Sequence, residues 1–362
     1  MPQEQVAVAM SGGVDSSLAT ALLKEAGYKV IGLTMQIWPS DEPARFGGCC
    51  GLEAIEDAKK VAYKLGIPHY VVNFRGIFAR EVIADFCREY SPGRTPNPCI
   101  RCNQYIKFNA LLKKAKELDS SFIATGHYAR IEQSSDGYHL LKAIDPAKDQ
   151  SYFLYTLGQS ELEHLLLPIG NLHKTEVRRR SAEIGLPTAA RRESQDICFI
   201  PDNDYRVFIA RRISLESGEI VDTGGKVLGR HGGLARYTVG QRQGLGLTSS
   251  ERLYVLRLDA ANNRLVVGTP DQLLSKRLFA GELSWVSGEA PAEPINVTAK
   301  VRYRSAEVAA ELHLNDGVAE VNFQQPQRAI APGQAIVFYQ GDTVLGGGII
   351  EAPGPPLPGA EE

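Results

Sequence analysis

Two short stretches hold the residues best suited to chemistry. The first, AMSGGVDSS (Ala9–Ser17), follows the apolar run Val6–Met10, which is typical of a buried parallel strand, and it precedes a helix-like segment. Its two glycines allow close backbone approach to a ligand, and the N–H groups at the start of a helix favour anions. This predicts a phosphate-binding loop, with a glycine turn capped by Asp15 or a serine as the alternative. The second, TPNPCIRCN, places Cys99 and Cys102 in a C-x-x-C spacing.

The glycine loop matches neither of two common nucleotide motifs. It lacks the G-x-x-x-x-G-K-[ST] of P-loop proteins and the G-x-G-x-x-G of dinucleotide-binding folds. SGGVDSS instead resembles the pyrophosphate loop of the ATP pyrophosphatases, which cleave ATP between its α and β phosphates. Ligases, synthetases and RNA thiolases share this loop, so the resemblance implies ATP chemistry and leaves the second substrate open.

The cysteine pair has a third candidate partner, Cys198, far along the chain in RRESQDICFIP. A zinc site would need a fourth ligand, usually from a second C-x-x-C or a histidine pair, and the sequence offers neither. A thioredoxin-like pair would not be expected downstream of an ATP loop. Two interpretations remain: an iron–sulfur cluster held by three cysteines, or sulfur transfer in which one thiolate carries sulfur and another resolves it.

The other cysteines carry weaker signals. Cys49 and Cys50 begin a predicted helix, a position that favours thiolates, but we favour buried thiols in a packed loop. Cys87 lies four residues after Ile83 on an apolar helix face, which predicts a core position.

Length and composition are those of an ordinary globular protein. The 362 residues suffice for two or three domains, and 43% are apolar and 23% charged. No apolar run is long enough to span a membrane, and the start, MPQEQVAVAMSGG, lacks the features of a signal peptide. We therefore expect a cytoplasmic protein with no membrane association. The net charge of −2 excludes general basicity, but the arginines of 178–180, 191–192 and 211–212 predict either a local patch or solvated helix faces.

The order of apolar patterns predicts the architecture. Strand-like runs such as YKVIGLTMQI and HYVVNF alternate with helix-like ones such as LEAIEDAKKVAYKLG, which predicts an α/β doubly wound parallel sheet over residues 1–205. Ligands then belong at the carboxyl ends of the strands, where AMSGG and ATGH both terminate. A glycine-rich section predicts a small β-rich central domain over 206–278. Stretches in which apolar and polar residues alternate predict a C-terminal antiparallel β-barrel over 279–354. The composition of 355–362 predicts a disordered tail.

Seven stretches, in order, identify a resemblance that runs to about residue 352. SGGVDSS, TPNPCIRCNQYIKF, ATGHYAR, KDQSYFL, ESQDICFIP, YTVGQRQGLG and VRYRS resemble the tRNA-specific 2-thiouridylases. The resemblance implies an adenine-nucleotide hydrolase-like fold and a sulfurtransferase that uses ATP to adenylate the wobble uridine of tRNA, then delivers sulfur from a cysteine persulfide. It implies tRNA and a persulfide-carrying sulfur-donor protein as partners, and we expect a monomer. Mg²⁺ would neutralise the departing pyrophosphate, with help from Asp15.

The resemblance also implies a role for each matching residue. Cys102 matches the catalytic nucleophile, and Cys198 matches the persulfide carrier. The ATP-binding positions are Ala9, Met10, Ser11, Gly12, Gly13, Val14, Asp15, Ser16, Met35 and Gly126. The tRNA-contacting positions are Asn97, Pro98 and Cys99 at the target base, with His127, Lys148, Asp149, Gln150, Arg302, Tyr303 and Gln334 elsewhere. Some relatives carry aspartate at the position of Cys99, so no acid–base role transfers there, and the cluster hypothesis stays open.

Two functions of other kinds explain less of the sequence. An amide-forming synthetase would need an ammonia source, and it would leave the cysteines unused. A non-catalytic RNA-binding protein with a metal-stabilised fold would account for the β domain and the arginines, but not for the ATP loop.

Overall fold

The parallel sheet predicted for the first half is present in a computed structural model, which describes residues 4–38, 51–192, 197–200, 204–292 and 294–354. The predicted tail, Cys49 and Cys50 lie outside these ranges. The strands of this half are β1 (Gln5–Ala9), β2 (Lys29–Gln36), β3 (His69–Asn73), β4 (Phe122–Ala124), β5 (Ala129–Ser134), β6 (Gly137–Lys142) and β7 (Leu165–Leu166). The sheet has the order β3-β2-β1-β4-β7, and all four of its pairings are parallel.

The central strand β1 explains why the sheet forms where it does. Val6, Ala7 and Val8 have no exposed surface, since apolar neighbours cover both faces of the strand. The chain passes outward from β1 to β2 and β3, then returns to the other side of β1 as β4. The order of strands therefore reverses between β1 and β4, which is the position where ligands bind in open α/β sheets.

The helices are separated along the chain by these strands and by irregular segments. They are α1 (Val14–Glu25), α2 (Leu52–Leu65), α3 (Arg75–Phe78), α4 (Ala84–Tyr90), α5 (Pro98–Arg101), α6 (Leu111–Lys116), α7 (Gln159–Leu162), α8 (Lys174–Glu183) and α9 (Tyr205–Ala210). Two π-helical segments, Ala79–Ile83 and Cys102–Ala110, join α3 to α4 and α5 to α6. The stretch 98–116 is thus one continuous helical run, which we call the cysteine helix.

The central domain is a four-stranded sheet. Its strands β8 (Gly218–Val221), β9 (Val227–His231), β10 (Tyr254–Asp259) and β11 (Arg264–Gly268) lie in the order β10-β11-β8-β9. Ile220, Val255 and Leu265 are fully buried in its core. This confirms the small β-rich domain predicted from the glycine-rich section.

The C-terminal domain is a closed antiparallel barrel, as predicted. Its strands are β12 (Leu274–Trp285), β13 (Ile295–Lys300), β14 (Val308–Asn315), β15 (Val318–Arg328), β16 (Ala335–Gln340) and β17 (Thr343–Pro353). The six-stranded ring closes because β12 pairs with both β15 and β17. Pairing begins at Leu274 with Arg328, so β12 crosses the boundary that the sequence pattern placed between residues 278 and 279.

The barrel and the first domain share strands and a core. The hairpin β5–β6, in the first half of the chain, extends the barrel sheet where Leu141 lies opposite Thr343 on β17. One apolar cluster includes Ala7 of β1, Tyr152 and Val337 of β16. The barrel is therefore packed directly against the domain that carries the glycine loop.

No helix in the described ranges combines the length and the apolar character needed to cross a membrane.

Candidate active site

The glycine loop lies at the carboxyl end of β1, and we call Ala9–Ser16 the nucleotide loop. Gly12 has φ +68°, and a Cβ there would stand 2.3 Å from the carbonyl oxygen of Ala54, so the loop must be glycine at this point. Gly13 is the N-cap of α1, and no described side chain caps this helix. The predicted alternative of a serine or Asp15 cap is therefore not what the structure shows. The uncapped N–H groups remain directed at the loop, as a phosphate site requires.

The side chains of the nucleotide loop divide into buried and accessible ones. Met10 and Val14 are buried, so their side chains do not face a ligand in the loop. The Ser16 hydroxyl lies 3.2 Å from both the backbone nitrogen and the hydroxyl of Ser11, which fixes the curvature of the loop. Of these two serines, Ser11 is the exposed one.

Asp15 is held by a residue that the sequence patterns did not single out. Lys174, at the start of α8, donates to both carboxylate oxygens at 2.7 and 2.8 Å, and the Tyr128 hydroxyl donates to the first at 2.7 Å. The residues present fit a phosphate group, whereas both oxygens of Asp15 already accept from Lys174, which makes Asp15 a poor candidate to hold Mg²⁺ by itself. The HKTEVR stretch contains Lys174, but from the sequence it was noted only for its arginine, as part of a predicted basic patch.

The end of β4 closes against the start of α1. A Cβ on Gly126 would lie 2.6 Å from the Ser16 backbone nitrogen, so only glycine permits this approach. Met35, near the end of β2, packs against the shared core and also against the apolar cluster around Cys102. The three predicted ATP-binding regions, the loop, Met35 and Gly126, thus lie at the same edge of the sheet.

His127 follows directly and is held by two contacts. Its Nδ1 lies 2.8 Å from the Thr125 hydroxyl, and its Nε2 lies 3.4 Å from Nζ of Lys107 on the cysteine helix. Burial, together with the Lys107 charge, holds the pKa of His127 well below its usual value. His127 is therefore neutral at physiological pH.

The C-x-x-C pair lies on the first turns of the cysteine helix. Asn97 caps this helix by accepting from the Cys99 backbone nitrogen at 3.2 Å, and Pro98 occupies the first turn, where its missing N–H costs nothing. Cys99 is exposed, whereas Cys102 is buried. Arg101 between them forms ion pairs with Asp85 at 3.4 Å and with Glu282 of the barrel at 2.6 Å.

Cys198 packs against the same apolar cluster that contains Cys102, and we call this group the thiol cluster. Phe199 anchors it by edge-on contacts with Phe78 and Phe86, each at 5.5 Å between ring centroids. Both cysteines are thiols in the structure, and the fold thus brings together two residues 96 positions apart in the sequence. Cys87 packs against the cluster as well, and burial raises the pKa of its thiol.

No group of three or more His, Cys, Asp or Glu side chains suited to holding a metal ion occurs in the part of the chain that the structure describes. That part includes Cys99, Cys102 and Cys198.

The predicted tRNA-contacting residues fall on both sides of the junction between the first domain and the barrel. Asp149 is buried, accepts from the Ser151 hydroxyl at 2.9 Å and lies 3.8 Å from the Lys300 ammonium. Gln150 accepts from the Tyr128 backbone nitrogen at 3.0 Å, so these two side chains are engaged within the protein. Lys148 is half-buried, beside them in the same loop.

On the barrel side, Arg302 is exposed and donates to the Arg328 carbonyl at 3.1 Å. The Tyr303 ring lies 4.4 Å from that of Phe153, a residue of the first domain. Gln334 donates to the Thr95 carbonyl at 2.8 Å, and thereby ties the barrel to the loop that precedes Cys99.

The arginines of α8 do not form an open basic patch. Arg179 pairs with Glu176 and Glu183, and Arg180 pairs with Glu176. Arg178 donates to backbone carbonyls, one of them that of Ala189. The alternative of a solvated helix face thus fits this run better than an RNA-binding patch.

Comparison with known proteins gives consistent matches along most of the chain. Three family descriptions match: "tRNA methyl transferase HUP domain" over residues 4–202, "tRNA methyl transferase PRC-barrel domain" over 206–269 and "Aminomethyltransferase beta-barrel domain" over 275–350. A protein of Geotalea uraniireducens named tRNA-specific 2-thiouridylase MnmA is 53% identical over 358 residues, which cover 96% of this chain and 95% of the relative. One of the same name from Acetivibrio thermocellus is 50% identical over 359 residues, covering 97% and 100%.

Solved structures are less similar. A 4-thiouridine synthetase in complex with RNA and bound ATP is 18% identical, with a TM-score of 0.37, over 58% of this chain and 46% of that one. An NMN synthetase from Francisella tularensis is 17% identical, with a TM-score of 0.34, over 53% and 67%. Neither likeness is close enough to add to the description above.

Proposed function

Since the chain belongs to the tRNA-specific 2-thiouridylase family and is a tRNA sulfurtransferase, we propose that it activates the C2 oxygen of the wobble uridine with ATP and replaces it with sulfur carried by Cys198. The observation that carries the proposal is the position of Met35. This residue of the predicted ATP site packs against the thiol cluster, which supports a single site for the nucleotide and the two cysteines.

ATP activation is needed because an oxygen bound to C2 of uracil is a poor leaving group. In the proposed step the C2 oxygen attacks the α-phosphorus, a C2–O–P bond forms, and pyrophosphate leaves. The uncapped N–H groups of α1 stabilise the departing phosphates without reorganising. Lys174 places an ammonium group beside them, where the Asp15 carboxylate partly offsets its charge.

Sulfur transfer then uses the two thiols of the cluster. The terminal sulfur of a Cys198 persulfide attacks C2, and AMP leaves with the former C2 oxygen. Cys102 attacks the Sγ of Cys198, which breaks the bond between Sγ and the delivered sulfur and leaves that sulfur on the base. The product protein holds a Cys102–Cys198 disulfide, which a cellular thiol reductant must reduce with two electrons. The base must leave its stack to reach the persulfide on Cys198, which packs against the same cluster as the buried Cys102.

The remaining assignments rest on chemistry. Cys198 needs a persulfide from a sulfur-donor protein, since nothing in the proposed reaction generates one. Thiols that must be reduced after each turnover suit the cytoplasm, where glutathione and thioredoxin maintain them, and we place a monomer there. Mg²⁺ is proposed as a partner of ATP only, because its prospective ligand Asp15 is engaged by Lys174.

The test combines two products. Purified protein, ATP, a persulfide donor and unmodified tRNA should release pyrophosphate and yield tRNA whose wobble uridine has sulfur in place of oxygen, detected by mass spectrometry of nucleosides. Cys198→Ser should still release pyrophosphate but form no thiouridine, and Cys102→Ser should also form none. Ammonia-dependent release, or methylated tRNA, would contradict the proposal.

The Cys99→Asp variant distinguishes the iron–sulfur alternative from the two-thiol mechanism. The two-thiol mechanism requires Cys102 and Cys198 only, so this variant should keep its activity. A three-cysteine cluster should lose iron and activity together in the same variant. Stoichiometric iron in anaerobically purified protein, with activity that follows the iron content, would overturn the two-thiol mechanism.

A further inference from the structure

Lys107 lies within the TPNPCIRCNQYIKF stretch, but neither the resemblance nor the proposed mechanism gives it a role. It lies on the π-helical segment that begins at Cys102. Its ammonium is 2.8 Å from Oδ1 of Asn103 and 3.4 Å from Nε2 of His127. It therefore bridges the helix of the nucleophile and the strand end that closes on the nucleotide loop.

The contacts of Lys107 fix the tautomer of His127. A lysine ammonium can only donate, so Nε2 of His127 is the acceptor. The proton of the neutral ring is then on Nδ1, where it is donated to the Thr125 hydroxyl at 2.8 Å. The lowered pKa of His127 agrees with this, because burial first, and the neighbouring Lys107 charge second, disfavour a charged ring. His127 thus orients a cation and does not carry a charge itself.

Asn103 holds the same cation from the other side. It is 1% exposed, and its Nδ2 donates to the Phe153 carbonyl at 2.9 Å, which leaves Oδ1 directed at Lys107. Lys107 itself is half-buried, so it is partly accessible to a bound molecule. Two polar side chains, both fixed by further hydrogen bonds, therefore hold one ammonium between the nucleophile and the ATP site.

Resting on the proposed function, we propose that Lys107 binds the α-phosphate and stabilises the negative charge that develops there as the C2–O–P bond forms and later as AMP leaves. Lys107 is tied both to Asn103, the residue after Cys102, and to His127, the residue after Gly126. Lys174 is paired with Asp15 in the first turn of α1, which suits the departing pyrophosphate. The two lysines thus serve different phosphates of the same ATP.

The alternative is that Lys107 only braces Asn103 and His127. The two roles differ in what a neutral side chain of the same length would do. Removal of a transition-state contact lowers the rate of the chemical step, whereas removal of a brace lowers stability and substrate affinity.

The experiment measures single-turnover pyrophosphate release and the tRNA Kd for Lys107→Met and Lys107→Arg. We expect Lys107→Met to slow release by about 10²-fold with tRNA affinity unchanged, and Lys107→Arg to recover at least about tenfold of that loss. Lys113→Met, an exposed position further along the same helical run, is the matched control and should behave as the unchanged protein.

Normal release by Lys107→Met, or a loss that follows a fall in Tm and tRNA affinity, would overturn the assignment of Lys107. Neither result would contradict the thiolation function, because that function is tested with the unchanged protein. If the unchanged protein itself releases no pyrophosphate with tRNA, the proposed function fails first, and the role of Lys107 fails with it.

Discussion

Gly12 and Gly13 are neighbours in the nucleotide loop, but they differ in how they tolerate a side chain. At Gly12 a Cβ would collide with the backbone of Ala54, so any substitution must displace the start of α2. The effect of a Gly12 substitution on ATP chemistry would then be mixed with a loss of stability. At Gly13 φ is −90°, and the nearest atom to a Cβ is the Ser11 hydroxyl at 3.4 Å.

Gly13→Ala therefore separates ligand approach from folding. We expect the free energy of unfolding to change by less than about 1 kcal/mol, because the conformation suits alanine and only the N-cap preference is lost. Pyrophosphate release should fall by at least about tenfold, since the new methyl group stands beside the N–H groups that receive phosphate. Gly76→Ala, where a Cβ meets nothing within 4 Å, is the control. Full activity of Gly13→Ala would contradict a phosphate site at this point.

His127 should make stability depend on pH. Its pKa is lowered in the folded protein, so below its usual value of about 6.5 the unfolded chain binds a proton that the folded chain does not. Stability should then fall as the pH drops below that value, by up to about 1.4 kcal/mol per pH unit for this one group. Urea unfolding of His127→Gln should show a shallower fall than the unchanged protein, with both compared to their values near about pH 8. Parallel curves for the two proteins would contradict the lowered pKa.

The cysteine helix shows what the sequence pattern could and could not give. The apolar spacing in IKFNALLKKAKELD predicts a helix from Ile106, and the structure has one there. The helix in fact begins at Pro98, because Asn97 caps it and proline suits the first turn. In the TPNP stretch, Asn followed by Pro is itself a helix-start signal. The π-helical segments depend on packing against other elements, and the spacing of apolar residues along the sequence does not predict them.

Asn97 should therefore control how well Cys102 is buried. Replacing it with alanine removes the acceptor of the Cys99 N–H group, which should cost about 1 kcal/mol and let the first turns fray. In a Cys99→Ser background, Asn97→Ala should increase the rate at which a thiol reagent alkylates Cys102, as measured by peptide mass spectrometry. Asn97→Ser keeps a capping oxygen and should not. Equal labelling of the two variants would show that the cap does not set the exposure of Cys102.

The sequence pattern did not predict how the three domains pack against one another. Runs such as VAAELHL and QAIVFYQ predict strands correctly, and their alternation explains the barrel. The hairpin β5–β6 lies in a part of the chain assigned to the parallel sheet, and its partner β17 is about half the chain length away. Likewise Cys102 and Cys198 share a cluster only through tertiary packing. The resemblance to a family predicted roles for both cysteines, whereas residue spacing alone left their proximity undetermined.

A protein with a net charge of −2 must bind tRNA through local rather than overall charge. Each phosphate contact releases counterions, and its loss should lower the slope of log affinity against log salt concentration by about one. Arg302 is exposed at the junction with the first domain, whereas Arg179 is paired with Glu176 and Glu183 on α8. We expect Arg302→Gln to weaken tRNA binding and reduce the slope by about one, and Arg179→Gln to leave the slope unchanged. Filter binding over a range of salt concentrations measures both. The reverse outcome would place the tRNA on the face of α8 rather than at the junction.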